Sequence, residues 1–535
     1  MKNISKLVLG TCCMATLSLN SCIEETFPTN GATTDQLGSS AKATEALLWA
    51  MPAFANDIET VVGNHWEWGY GSQMHIRDVM TGDLAVPSSP YSLWYDSWYN
   101  NSGIGPNTSA SQFIWNYYWK FVQTTNNLIS AVNPEAASDT QLGYLGAGYG
   151  FRAMIYLDMA QSFEFLENDA ISSLNASGND VKGLTVPIVT ETTTEETARN
   201  NPRATREQMA EFILSDLNKA EEYIVHLDIA TKTLPHLDAV YGLKARYYMW
   251  LGDYANARDY ARRAINESSS DPMTESEWLD PVTGFNQLDY WMWGSQLQAE
   301  DAAVQSGLLN WTSFMSVEAQ YGYAWAEGLG MMNMIDASLY NQIADTDFRK
   351  LAWKAPKGSA LEGQTVFIIP GQADLVPDYT SVKFRPAQGN TSDFTVGSAS
   401  AYPFMRVEEM YFIEAEAAAH LNAGEGKTLL ENFMQTYRDP AYVCNNPDVV
   451  SEVLLQKRIE LWGEGTTFYD IKRLNLSVTR GYSGTNWTDA ARFNTNGRPA
   501  WMNFSIVITE ENNNEALRGW ENPDPSGCYE PWLGE

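Results

Sequence analysis

Residues 451–475 read S-E-V-L-L-Q-K-R-I-E-L-W-G-E-G-T-T-F-Y-D-I-K-R-L-N, and this stretch decides how the chain folds. Leu455, Ile459 and Trp462 recur at spacings of four and three, which places them on one face of an α-helix. Ser451 is the predicted N-cap of that helix. The two glycines of G-E-G supply the backbone freedom that a helix end needs. The stretch therefore predicts an amphipathic helix, a turn and the start of a second amphipathic helix.

The same stretch carries charged side chains inside its apolar pattern. A charge that leaves water without a partner is strongly disfavoured, so buried charges in proteins are paired. We therefore expect internal ion pairs that fix one helix against the next. The residues concerned are Arg458, Glu460, Glu464, Asp470, Lys472 and Arg473.

Residues 457–473, K-R-I-E-L-W-G-E-G-T-T-F-Y-D-I-K-R, resemble the C-terminal signature of the SusD/RagB family. In that family a basic E-L-x-x-E-G segment precedes an aromatic residue and D-[IL]-K-R. Its members are outer-membrane lipoproteins of Gram-negative bacteria that capture nutrients for a TonB-dependent transporter. The aromatic residue usually follows an Arg, whereas Thr466 and Thr467 stand there in this chain.

Other segments resemble the family in the same order along the chain. Residues 151–156 (F-R-A-M-I-Y) and 406–417 (R-V-E-E-M-Y-F-I-E-A-E-A) match two further signatures. Residues 183–190 resemble the short extended link of the family, and residues 504–523 resemble its closing segment. The resemblance thus extends over most of the chain.

Two segments predict pairs of antiparallel helices. In residues 239–265 a turn at Gly252 separates two helical patterns whose alanines allow close approach, as in tetratricopeptide repeats, and residues 404–424 are similar. With the resemblance, the predicted fold is mainly α: a tetratricopeptide-like helix-pair scaffold with an irregular, loop-rich, SusD-like lobe. Residues 41–270 are assigned to an N-terminal region with helical hairpins. Residues 271–535 are assigned to a C-terminal region with the loop-rich lobe and a hairpin.

The first forty residues have the pattern of an exported lipoprotein. Two lysines precede an apolar run over residues 7–19, which is too short to span a membrane. The following L-N-S-C, ending at Cys22, resembles a lipobox, so Cys22 is the predicted lipidation site. Residues 1–21 are the predicted signal peptide, and residues 22–40 read as a flexible tether.

Composition limits the classes of function. A formal charge of −32 disfavours nucleic acid and anionic membrane surfaces as partners. No metal-ligand, nucleophile-elbow or Walker motif is present, so we expect no cofactor and no catalysis. A calcium ion held by Asp78 or Asp83 stays open, as does a disulfide between Cys444 and Cys528.

Tryptophan is concentrated in segments rich in Gly, Ser and Asn. One of them, residues 63–106, is interrupted too often by these residues and Pro to form a regular helix, so it is predicted to be loop. Six of the 19 tryptophans lie within residues 66–119. Trp115 and Trp119, spaced i, i+4 on a predicted helix, are assigned to the core. An exposed ring in a loop suits the apolar face of a sugar, while amides and guanidinium groups suit its hydroxyls. The resemblance likewise implies an aromatic platform with polar residues from irregular loops.

The predicted ligand-binding residues are drawn from these loops, and packing within the lobe is the alternative for each. They are Trp66, Trp68, Arg77, Trp94, Trp98, Asn100, Asn101 and Trp293.

By resemblance, the predicted function is non-covalent binding of an oligo- or polysaccharide at the cell surface. The protein would be anchored in the outer membrane through a lipid on Cys22 and would deliver the glycan to a SusC-like TonB-dependent transporter as its lid. Two alternatives stay open: a peptide-binding RagB-like lipoprotein and a surface glycosidase.

Overall fold

The computed structural model describes residues 40–58, 63–87, 95–282, 284–328 and 330–534. The predicted signal peptide, most of the tether, Cys22 and Trp94 lie outside these residues.

Most of the regular structure is helical, as predicted for a mainly-α fold. The α-helices are α1 (Ala41–Phe54), α2 (Tyr70–Val79), α3 (Asp96–Tyr99), α4 (Ser109–Ala131), α5 (Asp139–Phe163), α6 (Glu195–Ala198), α7 (Arg206–Tyr223), α8 (Leu237–Leu251), α9 (Tyr254–Glu267), α10 (Glu275–Leu279), α11 (Ala302–Gln305), α12 (Trp311–Met315), α13 (Ala337–Asn341), α14 (Phe394–Gly397), α15 (Val407–Leu421), α16 (Ala423–Tyr437), α17 (Val449–Glu460), α18 (Thr467–Leu474) and α19 (Ile508–Asn513).

Short 3-10 turns and four strands occur mainly in the connections. The 3-10 turns are Ile224–His226, Leu288–Tyr290, Phe348–Ala352, Gln372–Asp374, Ala387–Gly389, Asp489–Ala491, Ala500–Met502 and Glu515–Leu517. The strands are β1 (Leu84–Ala85), β2 (Trp293–Gln296), β3 (Met334–Ile335) and β4 (Ala401–Met405). β1 pairs antiparallel with β3, Leu84 opposite Ile335, and β2 pairs antiparallel with β4, Ser295 opposite Tyr402.

The stretch 451–475 forms α17, a glycine turn and α18, as its periodicity predicts. The prediction of Ser451 as the N-cap is wrong, because the helix already begins at Val449, two residues before it. Asp448 is the cap, and its carboxylate accepts the Ser451 N–H at 3.2 Å. Gly465 has φ +72°, and a Cβ there would lie 2.7 Å from the backbone of Met74. Only glycine therefore suits the close approach of this turn to α2.

The scaffold is a series of packed helix pairs. α8 and α9 form the hairpin predicted for residues 239–265, and Gly252 ends α8 in the left-handed conformation with φ 74°. α9 packs on α15, and α15 packs on both α16 and α17. The prediction of a helix pair within residues 404–424 is wrong in extent: this segment holds one helix, α15, and its partner α16 begins only at Ala423.

One segment predicted to be loop contains a helix. α2 begins after Gly69 and is buried along its whole length. The prediction is wrong here because a helix surrounded by protein needs no amphipathic stripe. Its polar residues, including His75 and Arg77, therefore break the pattern that a surface helix would show.

Buried ion pairs join α17 to its neighbours, which confirms the prediction for Glu460. Its carboxylate contacts the guanidinium groups of Arg349 at 3.1 Å, Arg406 at 3.1 Å and Arg438 at 2.8 Å. All four side chains are fully buried. A single carboxylate therefore connects three segments of the chain.

Most of the other charges in this stretch are also paired. Glu464 contacts Lys383 at 2.7 Å and Arg406 at 2.9 Å. Asp470 contacts Lys457 at 2.8 Å and Arg473 at 2.7 Å. Arg458 pairs with Asp83 through its Nε at 3.1 Å. The prediction is wrong for Lys472. In the described residues, no carboxylate oxygen lies within 4 Å of its Nζ.

One continuous apolar core runs from Leu48 to Leu517. The predicted boundary near residue 270 lies between α9 and α10, and residues on both sides contribute to this core. No helix of the described residues is long and apolar enough to cross a membrane.

Candidate functional site

The structure buries most of the predicted ligand-binding tryptophans. Trp68 stacks on Phe314 with ring centroids 5.1 Å apart, and its Nε1 donates to Tyr95 Oη at 2.8 Å. Trp98 is 1% exposed and Trp293 is fully buried. The prediction that these three rings face a ligand is therefore contradicted by their burial. A large apolar surface gains more from a dry core than from a loop surface, and the rings of this lobe pack together.

Arg77 and Asn101 are also buried, at 3% and 1% exposure. Arg77 donates hydrogen bonds to the Gly465 carbonyl at 2.9 Å and to Tyr118 Oη at 3.0 Å, so it holds α2 to the turn before α18. Asn101 adopts a left-handed backbone with φ 50°, which asparagine tolerates better than most residues. Both residues shape the lobe and are not free to contact a ligand.

Trp66 and Asn100 keep part of their surface exposed. Trp66 packs edge-on against Trp98 with centroids 5.4 Å apart. In the described residues, its indole Nε1 and the Asn100 Oδ1 have no hydrogen-bond partner. Trp66 and Asn100 thus remain candidates for ligand contact, together with Trp94 outside the described residues.

A groove elsewhere combines an aromatic ring with several amides. It encloses about 420 Å³ between α4, the extended link that follows α5, and α19. We call it the Trp119 groove. Its lining includes Trp119, Gln123, Asn126, Asn127, Thr190, Glu191, Asn201, Glu510 and Asn514.

Trp119 is half-buried and forms the aromatic wall of the groove. Its ring is held by Trp115, 5.5 Å away at 57°, and by Tyr156, 6.3 Å away at 83°. Its Nε1 has no hydrogen-bond partner in the described residues. That nitrogen is buried, so the part of Trp119 that the groove presents to a ligand is its ring, which is fixed by packing.

The amides of the groove fall into two groups. Asn126 and Asn201 are held by backbone carbonyls: their Nδ2 atoms donate to Val189 O at 3.2 Å and to Ile188 O at 2.8 Å. Gln123 and Asn127, one turn apart on α4, are exposed. The first group fixes the link to α4, and the second presents amide donors and acceptors to solvent.

The two carboxylates of the groove have different environments. Burial raises the pKa of Glu510, and hydrogen bonds from Asn514 and Trp115 only partly offset this. Burial also acts to raise the pKa of Glu191, but Arg152, whose Nη1 lies 2.6 Å from it, more than offsets the effect and leaves the pKa lowered. One carboxylate is therefore firmly ionised, and the other is more easily protonated.

A second groove is larger but lacks aromatic rings. It encloses about 700 Å³ and is lined by Leu279, Pro281, Leu351, Val366 and Arg385, among others. A sugar-binding site needs a flat apolar face beside polar groups. The Trp119 groove meets that requirement and this one does not.

Sequence reasoning assigned Trp119 to the core because it is spaced i, i+4 from Trp115 on a helix. Trp115 is in the core at 2% exposure, but Trp119 lies at the edge. The pair Asn126-Asn127 near the end of the same helix was the available signal for a polar site. Helical spacing shows on which face of a helix a residue lies, but it does not show whether other parts of the chain cover that face.

The described residues contain no group of three or more acidic, His or Cys side chains that could hold a metal ion. Asp83 is paired with Arg458, and Asp78 Oδ2 accepts the Gly465 N–H at 2.9 Å. These two carboxylates are thus committed to contacts within the protein. Cys444 and Cys528 are both free thiols, so the disulfide left open by the sequence is absent.

Fold and groove together define a helix-pair scaffold with a loop-rich, aromatic lobe and an open surface site. Residues 46–249 match a family model described as SusD-like, starch-binding associating with outer membrane. Residues 377–522 match the model of the SusD family. The chain belongs to the SusD/RagB family.

Solved structures with the same fold come from Bacteroides species. A SusD-like carbohydrate binding protein from Bacteroides vulgatus ATCC 8482 superposes with a TM-score of 0.68 at 20% identity, covering 90% of this chain and 98% of that one. A SusD superfamily protein from Bacteroides thetaiotaomicron VPI-5482 gives 0.67 at 18% identity, covering 90% and 100%. A SusD-like carbohydrate binding protein from Bacteroides fragilis NCTC 9343 gives 0.65 at 14% identity, also covering 90% and 100%. No curated protein sequence gives a significant match.

Proposed function

We propose that the protein is a surface lipoprotein of the outer membrane that binds oligo- or polysaccharide without cleaving it. It would pass the glycan to a SusC-like TonB-dependent transporter, over which it acts as a lid. Family membership supports this proposal, as does the lipobox that ends at Cys22. The matching family model is described as starch-binding, and a similar structure is that of a carbohydrate binding protein.

The observation that carries the proposal is the Trp119 groove. A ring held on two sides by other rings can stack on the apolar face of a sugar without losing further side-chain entropy. Gln123 and Asn127 lie on the same helix and present amides that can bind hydroxyls. A groove of about 420 Å³ is within the range of small-molecule sites and accommodates one or two sugar rings of a longer chain.

Trp66, Trp94 and Asn100 form a second proposed contact region, as the sequence predicts. Its support is the partial exposure of Trp66 and Asn100 in the described residues. A long polysaccharide could contact both regions.

The test is calorimetric titration of the soluble protein, beginning after Cys22, with a panel of polysaccharides and peptides. Trp119→Ala should weaken glycan binding about tenfold, because the stacking surface for the sugar is lost. Trp49→Ala is the matched control, since Trp49 is 37% exposed on α1 outside the groove. Trp66→Ala and Trp94→Ala report on the second region. Unchanged glycan affinity in Trp119→Ala contradicts the assignment of the groove.

The peptide-binding alternative predicts a different result in the same titrations. Peptides would bind and glycans would not, and Trp119→Ala would have little effect. That outcome keeps the family assignment and overturns the carbohydrate ligand.

The glycosidase alternative has one observation in its favour. Glu191 and Glu510 line the same groove with pKa values shifted in opposite directions, and such pairs occur in glycoside hydrolases. Glu191 is held by Arg152 and serves there as a structural ion pair. Release of shorter products from any bound glycan, abolished in Glu510→Gln, would establish hydrolysis in place of capture.

A further inference from the structure

A pocket of about 220 Å³ between α5, α7 and α18 has an excess of positive charge. We call it the basic pocket. Its charged lining consists of Glu164, Arg206, Lys472, Arg473 and Arg498, and Tyr469 also faces it. It shares no lining residue with the Trp119 groove.

Internal partners neutralise only part of this charge. Arg206 contacts Glu164 at 2.9 Å. Arg473 contacts Asp470 at 2.7 Å and also pairs with Glu416. In the part of the chain that the structure describes, no carboxylate oxygen lies within 4 Å of the side-chain nitrogens of Lys472 or Arg498. Two cations of the pocket therefore lack a counter-charge.

The pocket also has unused hydrogen-bond donors. Lys472 Nζ, which carries three hydrogens when protonated, donates to Ser162 O at 2.9 Å. Arg498 Nε donates to Asn475 Oδ1 at 3.0 Å. Arg473 Nη1, on a side chain that lines the pocket, is buried and has no partner among the described residues. Such donors are costly to leave unsatisfied.

The surroundings of Lys472 are unfavourable to its charge. Burial lowers its pKa well below the ordinary value; Glu164 opposes this, but Arg498, Arg203 and Arg206 lower the pKa further. Arg203 is itself buried against neutral acceptors, including the Thr185 carbonyl at 2.7 Å. An anion in the pocket would relieve this repulsion.

We propose that the basic pocket binds a small oxyanion, a carboxylate, sulfate or phosphate, through Lys472, Arg498 and the free Nη1 donor of Arg473. Such groups accept several charge-assisted hydrogen bonds at once. The opening at the half-exposed Arg206 and Arg498 admits either a free ion or the acidic group of a sugar. This inference does not depend on the glycan groove.

The test is calorimetric titration of the soluble chain with sodium sulfate, sodium phosphate and sodium glucuronate at constant ionic strength, with glucose as the neutral reference. Arg498→Gln, at the half-exposed rim, keeps a polar side chain and should weaken binding about tenfold. Lys472→Met should also weaken it, and circular dichroism checks that this variant folds. Arg518→Gln removes one charge from an exposed position outside the pocket and should leave the affinity unchanged.

The outcomes separate the sources of the anion. Binding of sulfate or phosphate, weakened in Arg498→Gln, supports a free-ion site. Binding of glucuronate alone, with the same loss, supports an acidic sugar. No heat from any of the three anions at 20 mM, or equal affinity in Arg498→Gln and wild type, overturns the proposal. Neither result bears on Trp119→Ala, so the two sites are tested separately.

Discussion

At the scale of single residues, Glu460 shows why charges persist inside the apolar pattern of 457–473. Three guanidinium groups converge on it, and none of the four side chains is exposed. Removing one partner from such a cluster leaves the others buried and uncompensated. The motif is therefore explained by the packing of α17 on its neighbours, without any catalytic role.

Glu460→Gln should destabilise the protein by about 3–5 kcal/mol, since three buried guanidinium groups lose their shared charge. Chemical denaturation of the soluble chain measures this directly. The control is Glu425→Gln, because the exposed Arg258–Glu425 pair at 2.9 Å contributes only about 0–1 kcal/mol. Equal stability of the two variants would show that the cluster is not structurally important.

A second buried ion-pair cluster, which joins Glu416 to Arg473 and Asp470, makes stability depend on acid pH. Burial acts to raise the pKa of Glu416, but Arg473 and the other cations around it more than offset this and lower it to about 2. A carboxylate whose pKa is depressed on folding stabilises the folded state above its unfolded pKa of 4.5, and this contribution is lost as the pH falls toward 2. The denaturant concentration at the midpoint of unfolding should therefore decrease as the pH is lowered from 4.5 to 2. This decrease should be smaller in Glu416→Gln. Parallel pH profiles for the two proteins would refute this assignment.

At the scale of elements, the second helix pair depends on one glycine. A Cβ on Gly426 of α16 would lie 2.6 Å from backbone atoms of Ala419 in α15. No ordinary side chain fits at that distance, so the glycine sets how closely the two helices approach.

Gly426→Ala should destabilise the fold by about 1–3 kcal/mol through overpacking. Gly424→Ala, in the first turn of the same helix, is the control: its nearest neighbour would be Asn422 Oδ1 at 3.3 Å. Alanine is the better helix former, so the control should lose no stability. Thermal unfolding compares the two, and a loss in the control as large as in Gly426→Ala would show that the contact with Ala419 is not the cause.

The elements also show how far sequence reasoning extends. α17, α18 and the hairpin of α8 and α9 are predictable because each has an apolar face and a turn with glycine marks where one helix gives way to the next. α2 is not predictable, since it is buried on every side and its polar residues find partners far away in sequence, such as Gly465 for Arg77. For the site, the sequence predicts the types of residue but not which residues form it. Aromatic and amide residues were expected, but whether Trp98 or Trp119 reaches the surface depends on neighbours that the sequence does not reveal.

At the scale of the whole molecule, the aromatic-rich lobe and the helical scaffold share one core. The many tryptophans of the lobe therefore mainly stabilise its packing. The Trp119 groove lies where α4 meets the extended link. A surface site built on a long, packed helix is rigid, which lowers the entropic cost of binding. This rigidity agrees with the proposed role in glycan binding.

The lipid anchor is tested in cells. Cys22→Ala removes the proposed acylation site, and the protein should move from the membrane fraction to the soluble fraction, because each buried methylene contributes about 0.8 kcal/mol to membrane binding. Cys528→Ala, at a half-buried free thiol, should leave the distribution unchanged. Membrane association that persists in Cys22→Ala would show another means of attachment.

The most direct measurement is a crystal structure of the soluble chain with a glycan that binds in the titrations. Our prediction is a sugar ring stacked on Trp119, with its hydroxyls within hydrogen-bond distance of Gln123 or Asn127. Density for the glycan at Trp66 and Asn100 alone, with the Trp119 groove empty, would contradict it and return the site to the loops first predicted from the sequence.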